Sequence, residues 1–140
     1  MHGLNLQRKC AFGSDRLRAA IKAQLNAGVD ILAEVSQFIG MNAMSDLNKA
    51  FACSVPYLKL WGIVAGGWQM ARAAQISAEK IAAGSSDEFY KAKLITARFY
   101  ADHILSQSSY LKHQIVAGSS SVMTMTESQY GLDRAALVTA

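Results

Sequence analysis

Three histidines are the first side chains to consider for chemistry, and their spacing does not assemble a site. His2 lies at the N-terminus, and His103 and His113 are ten residues apart. Asp102 precedes His103, but neighbouring residues on a helix point about 100° apart and do not face each other. A helical metal site needs ligands at i, i+3 or i+4 on one face. We therefore expect no catalytic or metal-binding histidine.

The remaining reactive side chains show no catalytic pattern either. Asp30 and Glu34 are four residues apart, but no Glu-x-x-His motif accompanies them, which predicts a surface pair. No serine lies in a G-x-S-x-G motif, and no Gly-rich phosphate loop is present. Cys10 and Cys53 are far apart, as expected for two reduced thiols in a cytoplasmic protein. The sequence thus predicts no catalytic, cofactor-binding or metal-binding residue.

The first long helix is predicted from Ser14, as N-cap, to Gly40, as C-terminal stop. Its small and apolar residues recur at steps of 4 and 3, which is typical of a bundle seam. They are Ile21, Leu25, Gly28, Leu32, Val35 and Ile39. Ser45 is expected to cap a short helix that ends at Ala52, and Pro56 to break or restart the chain.

The second long helix is predicted from about Tyr57 to Ala83, and it carries two apolar stripes. The seam stripe comprises Leu60, Val64, Gly67, Ala71, Ala74, Ala78 and Ile81. The second stripe comprises Leu58, Trp61, Ala65 and Trp68. A helix that is apolar on two sides is central or lies at an interface, so we expect Trp61 or Trp68 near a contact with another protein surface. Gly62, Gly66 and Gly67 predict close approach of a neighbouring backbone.

The third helix is predicted after a capping box formed by Ser85 and Glu88. Its seam is Tyr90, Leu94, Ala97, Ala101 and Ile104, and a further helical segment stops at Gly118. Aromatic residues at helical spacing are expected to be core rather than a flavin or acyl pocket. They are Trp61, Trp68, Phe89, Tyr90, Phe99 and Tyr100.

These patterns predict an all-α fold, an antiparallel helical bundle of three long helices plus shorter helical segments. We expect residues 1–13 to be an N-terminal remnant or linker, 14–118 the bundle, and 119–140 a partly ordered tail. The chain is 51% hydrophobic and only 17% charged, which indicates a folded domain.

Charge and hydropathy argue against nucleic acid and membrane partners. The net charge is +4, but the basic residues are scattered rather than arranged in a stripe with exposed aromatics, which favours a solvated helix face. The apolar run from Val55 to Ala71 contains Lys59 and Gln69 and falls short of the ~20 apolar residues of a membrane span. A helix buried in a soluble bundle explains it better.

Three stretches in order carry a family resemblance. YLKLWGIVAGGWQMARAA (Tyr57–Ala74), FYKAKLITARFYADHIL (Phe89–Leu105) and IVAGSSSVMTMTESQY (Ile115–Tyr130) resemble the C-terminal extension of a bacterial acyl-CoA dehydrogenase subgroup. Their order and separations agree over roughly Ser14 to Tyr130. The resemblance implies a cytoplasmic enzyme whose earlier parts hold FAD, bind the CoA thioester, abstract the α-proton with a glutamate and pass a hydride to the flavin.

The resemblance assigns this chain a structural role only. In the family a Tyr-Glu-Gly-Thr-like stretch precedes the extension; it is absent here, and Gly3–Lys9 resembles a remnant of the sequence after it. No family catalytic or FAD-binding residue has a matching position. The implied partners are the rest of the dehydrogenase or another copy of this chain. The alternative is a stand-alone helical scaffold for protein binding.

Overall fold

The computed structural model describes the backbone of residues 3–122 and 124–130, and side chains from residue 15 onwards apart from residues 123, 127 and 131–140. Over that part the chain forms helices and no strand, which confirms the all-α prediction. The elements are α1 (Gly3–Ser45), α2 (Leu47–Ala52), α3 (Ser54–Ala82), α4 (Glu88–Tyr100), a π-helical turn (Ala101–Leu105), α5 (Gln107–Val116) and 3₁₀ turns at Gly118–Ser120 and Glu127–Tyr130.

Helix α1 is longer than predicted at both ends. It begins at Gly3 rather than Ser14 and runs past Gly40 to Ser45. The residues before Ser14 are mostly good helix formers, and one serine or glycine costs too little to end such a helix. The seam itself is confirmed: Gly28, Leu32 and Val35 are buried within it. The division into linker, bundle and tail stays a prediction.

Two aspartates cap the helices where serines were predicted to do so. Asp46 Oδ1 accepts a hydrogen bond from the Lys49 amide at 3.1 Å and caps α2. Asp87 Oδ1 accepts from the Phe89 amide at 2.9 Å and caps α4. Ser45 instead lies in the last turn of α1, so both serine caps were wrong by one or two residues.

Pro56 was predicted to break or restart the chain, with the next helix from about Tyr57, but α3 begins at Ser54, two residues before the proline. The proline therefore lies in the first turn, where its missing N–H has no intrahelical partner to lose. The seam stripe of α3 faces the core: Leu60 is 0% exposed, and Val64, Ala74 and Ala78 are buried. Helix α3 packs against α1, α4 and α5 and is the centre of the bundle.

A close crossing joins α1, α3 and the π-helical turn. A Cβ at Gly67 would lie 2.7 Å from Leu105 Cδ2, and one at Gly28 would lie 3.3 Å from the same atom. The π-helical turn places Leu105, which is 3% exposed, in the core where Ile104 was predicted. Ile104 is only partly buried.

The prediction of close approach at the α3 glycines needs correction. The neighbours of Gly66 and Gly67 are side chains, Tyr100 and Leu105, and not a backbone. Gly62 has nothing within 4 Å of its would-be Cβ. Tyr100 also donates a hydrogen bond from its hydroxyl to the Ile63 carbonyl at 3.1 Å, which ties α4 to α3.

Helix α5 closes the bundle against the junction of α2 and α3. Leu111 and Ile115 are buried. The Cys53 thiol donates to the carbonyls of Lys49, at 3.2 Å, and Ile115, at 3.5 Å. Lys112 Nζ pairs with Glu34 Oε2 of α1 at 2.7 Å.

Candidate functional site

The second stripe of α3 lies on the surface and forms an apolar face that the described residues leave uncovered. Leu58 is 75% exposed, Trp61 50% and Trp68 52%, and Ala65 between them is also exposed. We call these four residues the outer α3 face. Large apolar side chains grouped on one exposed helix face mark an interaction surface in a soluble protein. Burial of two tryptophans would contribute strongly to any contact made there.

A groove between α1 and α3 adjoins one end of the outer α3 face. The α1–α3 groove encloses about 450 Å³. Its apolar lining is Ala19, Ile21, Leu25, Trp68, Ala71 and Ala74. Its polar lining is Asp15, Arg18 and Lys22 from α1, with Arg72 and Gln75 from α3. The two helices run antiparallel, so the N-terminal half of α1 meets the C-terminal half of α3.

The polar lining of the groove is predominantly cationic. Among the described residues, three cations and one carboxylate contribute to it. Arg18 pairs with Asp15 three residues before it. The Arg72 guanidinium lies over the Trp68 ring, 5.0 Å from its centroid, in a cation–π contact. Within the described part of the chain, neither Lys22 nor Arg72 pairs with a carboxylate.

This groove was not predicted, because the basic residues are scattered along the sequence and indicate a solvated helix face. Arg18 and Lys22 are four residues apart and share a face of α1, which was a visible signal. Arg72 lines the same groove as Arg18 and Lys22 because of the register between two antiparallel helices. The spacing within one helix carries no information about that register.

Asp102, His103 and Glu34, which were considered for chemistry in the sequence, do not share a site in the structure, and each has a different partner. Asp102 accepts a hydrogen bond from Arg98 at 2.6 Å, and the His103 ring packs on Phe99 with centroids 4.5 Å apart. Glu34 pairs with Lys112 rather than with another residue of α1. Among the described residues, no three His, Cys, Asp or Glu side chains converge on a point that could hold a metal ion. His2 and the side chain of Cys10 lie outside the described residues.

Most of the aromatic residues predicted as core are half-exposed instead. Phe89 is 56% exposed and Phe99 57%, as are both tryptophans at about half. Tyr90 and Tyr100 are partly buried. Helical spacing fixes which residues share a face but not which of two apolar faces is covered, and here the outer faces of α3 and α4 are open.

The buried Cys53 and the partly buried Tyr100 each have a perturbed pKa. Burial raises the pKa of the Cys53 thiol, although Ser119 and Lys49 act in the opposite direction. Burial also raises the pKa of the Tyr100 phenol. Both groups make the packing hydrogen bonds described above, so these shifts have a structural explanation. No helix among the described residues is long and apolar enough to span a membrane.

Comparison with known proteins places this arrangement in a family. Residues 6–126 match the family model described as "Acetyl-CoA dehydrogenase C-terminal like", and the chain belongs to that family. It is 35% identical over 107 residues to the 3-methylmercaptopropionyl-CoA dehydrogenase of Ruegeria pomeroyi. That alignment covers 76% of this chain and 17% of the relative, so the chain spans a small part of the relative's length. No solved structure matches the sequence.

Proposed function

We propose that this chain is the C-terminal helical accessory domain of an FAD-dependent acyl-CoA dehydrogenase, structural in role and not catalytic alone. The outer α3 face is the surface that docks on the body of the enzyme or on a second copy of the domain. FAD, the acyl-CoA site and the reacting groups belong to the remaining length of the enzyme. The assembled enzyme acts in the cytoplasm.

The observation that carries this proposal is the open outer α3 face. Three bulky apolar side chains, Leu58, Trp61 and Trp68, are each half-exposed or more on the central helix of the bundle. The seam stripe of the same helix already packs into the core of the bundle, so the second stripe is not needed to form that core. Family membership supports the enzyme class.

A mixing test examines the proposal directly. The 140-residue chain and the remaining portion of the dehydrogenase are purified separately and combined, and flavin reduction by acyl-CoA is followed by the loss of flavin absorbance. We expect activity to rise on mixing, and the purified chain alone to show no flavin colour. Absence of any association or activation at high concentration would contradict the docking role.

Variants of the outer α3 face locate the contact. Trp61→Ala should weaken association by at least about tenfold if this tryptophan is an interface anchor. Tyr110→Ala is the matched control, because Tyr110 is an aromatic residue on α5 that is 66% exposed. In the absence of the enzyme body, we expect light scattering to show self-association of the wild-type chain that Trp61→Ala weakens. Equal effects of the two substitutions would argue against the outer α3 face.

A further inference from the structure

The α1–α3 groove combines an apolar floor with cations from two different helices. Leu25, Ala71 and Ala74 belong to the floor. Arg18 and Lys22 approach from α1, and Arg72 approaches from α3. A solvated charged helix face presents cations from one helix to water, whereas here cations from both walls line the same apolar groove.

We propose that the α1–α3 groove binds an organic anion in which a phosphate or carboxylate group is joined to an apolar body. Its volume of about 450 Å³ lies in the range of small-molecule sites, roughly 300–1,000 Å³. The apolar body packs on the floor, and the anionic group lies between the cations of the two walls. Guanidinium groups suit this role because they bind phosphate and carboxylate oxygens in a bidentate geometry.

The charges of the groove are held ready for such a ligand. Lys22 and Arg72 have no carboxylate partner within the described residues, so an incoming anion need not displace an internal one. Arg72 is stacked on Trp68, and Arg18 is paired with Asp15, a carboxylate whose side chain is 65% exposed. These contacts limit the motion of both guanidinium groups and reduce the entropy lost on binding.

The groove and the proposed docking role can be tested separately, although Trp68 belongs to both surfaces. Trp61 belongs to the outer α3 face and does not line the groove, whereas Arg18 and Lys22 line the groove and lie on α1. Loss of association in Trp61→Ala therefore reports on docking. Loss of anion binding on removal of the α1 cations reports on the groove.

A fluorescence titration tests the groove in the full 140-residue chain. The chain has two tryptophans, so Trp61→Phe leaves Trp68, a lining residue, as the single reporter. Octanoate and octyl phosphate are the amphipathic probes. Octan-1-ol has the apolar body without the anionic group, and inorganic phosphate has the anionic group without the apolar body. We expect a saturable change in Trp68 emission with at least one amphipathic anion, and a much weaker response to octan-1-ol or phosphate alone. The stronger of the two anions identifies carboxylate or phosphate as the preferred group.

Charge-removing variants in the same background complete the test. Arg18→Gln combined with Lys22→Gln removes two cations without altering the Arg72–Trp68 contact, and should weaken binding by about tenfold. Lys59→Gln on α3 is the matched control, because Lys59 is an exposed cation outside the groove, and it should bind like the parent. Circular dichroism checks that each variant is folded. Saturation by octan-1-ol with equal affinity, equal affinity of the double variant and the control, or no binding of either anion would overturn the proposal.

Discussion

Substitution of Gly67 by alanine probes a close contact in the core of the bundle. The new Cβ would lie 2.7 Å, 2.9 Å and 3.0 Å from Cδ2, Cδ1 and Cγ of Leu105. Leu105 has little room to retreat, because it is 3% exposed and packed within the core. Overpacking of a core costs about 1–3 kcal/mol. The gain from replacing glycine by alanine in a helix is about 0.8–1.0 kcal/mol and opposes that cost.

A matched glycine in the same helix separates these two effects. Gly62 also lies inside α3, is exposed, and has nothing within 4 Å of a would-be Cβ. Gly62→Ala should therefore gain the helix-propensity term alone and raise the free energy of unfolding by up to about 1 kcal/mol. Gly67→Ala should lie about 1–3 kcal/mol below Gly62→Ala, because only it carries the steric cost.

Urea denaturation followed by circular dichroism measures both variants on one scale. A double variant, Gly67→Ala with Leu105→Ala, provides the coupling energy. Leu105→Ala alone should cost about 2–5 kcal/mol through the cavity that it leaves. The added Cβ partly fills that cavity, so the two costs should not add. Equal stabilisation by Gly62→Ala and Gly67→Ala, or simple additivity in the double variant, would refute the steric reasoning.

Three further predictions concern buried polar groups. Burial raises the pKa of the Tyr100 phenol above its ordinary value of 10.0, so the contribution of Tyr100 to stability is complete below pH 10 and is lost as the pH rises further. Tyr100→Phe should lower the free energy of unfolding by about 0.5–1.5 kcal/mol at pH 7, measured by denaturant titration. This difference between the wild type and the variant should shrink above pH 10. Cys53 is 1% exposed, so in a Cys10→Ala background a thiol-alkylating reagent should modify it far more slowly in buffer than in urea, and similar rates by mass spectrometry would contradict this burial. Ser108 Oγ is buried and has no hydrogen-bond partner among the described residues, so Ser108→Ala should leave the free energy of unfolding unchanged or raise it. Ser36→Ala, which removes bonds to Leu32 and Tyr57, should lower the free energy of unfolding by about 1 kcal/mol, and the reverse order would be inconsistent with the hydrogen bonding described.

The period of the apolar residues alone was sufficient to predict which residues form the buried faces of α1 and α3. The seams of α1 and α3 were predicted from steps of 3 and 4 residues, because burial of one face imposes that period on the sequence. The second stripe of α3 was recognised for the same reason. Whether it lay in the core or on the surface depended on the number of neighbouring helices, which no single helix encodes.

The helix ends and the π-helical turn could not be derived in this way. Serine and aspartate are nearly equivalent as N-caps, so adjacent candidates such as Ser45 and Asp46 cannot be separated by residue type. Leu105 takes the core position predicted for Ile104 because its side chain packs against Gly28 and Gly67. These glycines lie 38 or more positions away along the chain. The clustering of cations in the groove was not predicted for a related reason, because Arg72 and Arg18 line the same groove only through the register of two helices.

The outer α3 face belongs to a helix that is packed against several neighbours in the bundle. Helix α3 contacts α1, α4 and α5, and its glycines hold Tyr100 and Leu105 in close contact. A partner would therefore meet a surface that is already ordered, instead of a loop that must first adopt its bound shape. Association by such a surface loses little conformational freedom, and its rate is governed by diffusional encounter and orientation, with no slow rearrangement step.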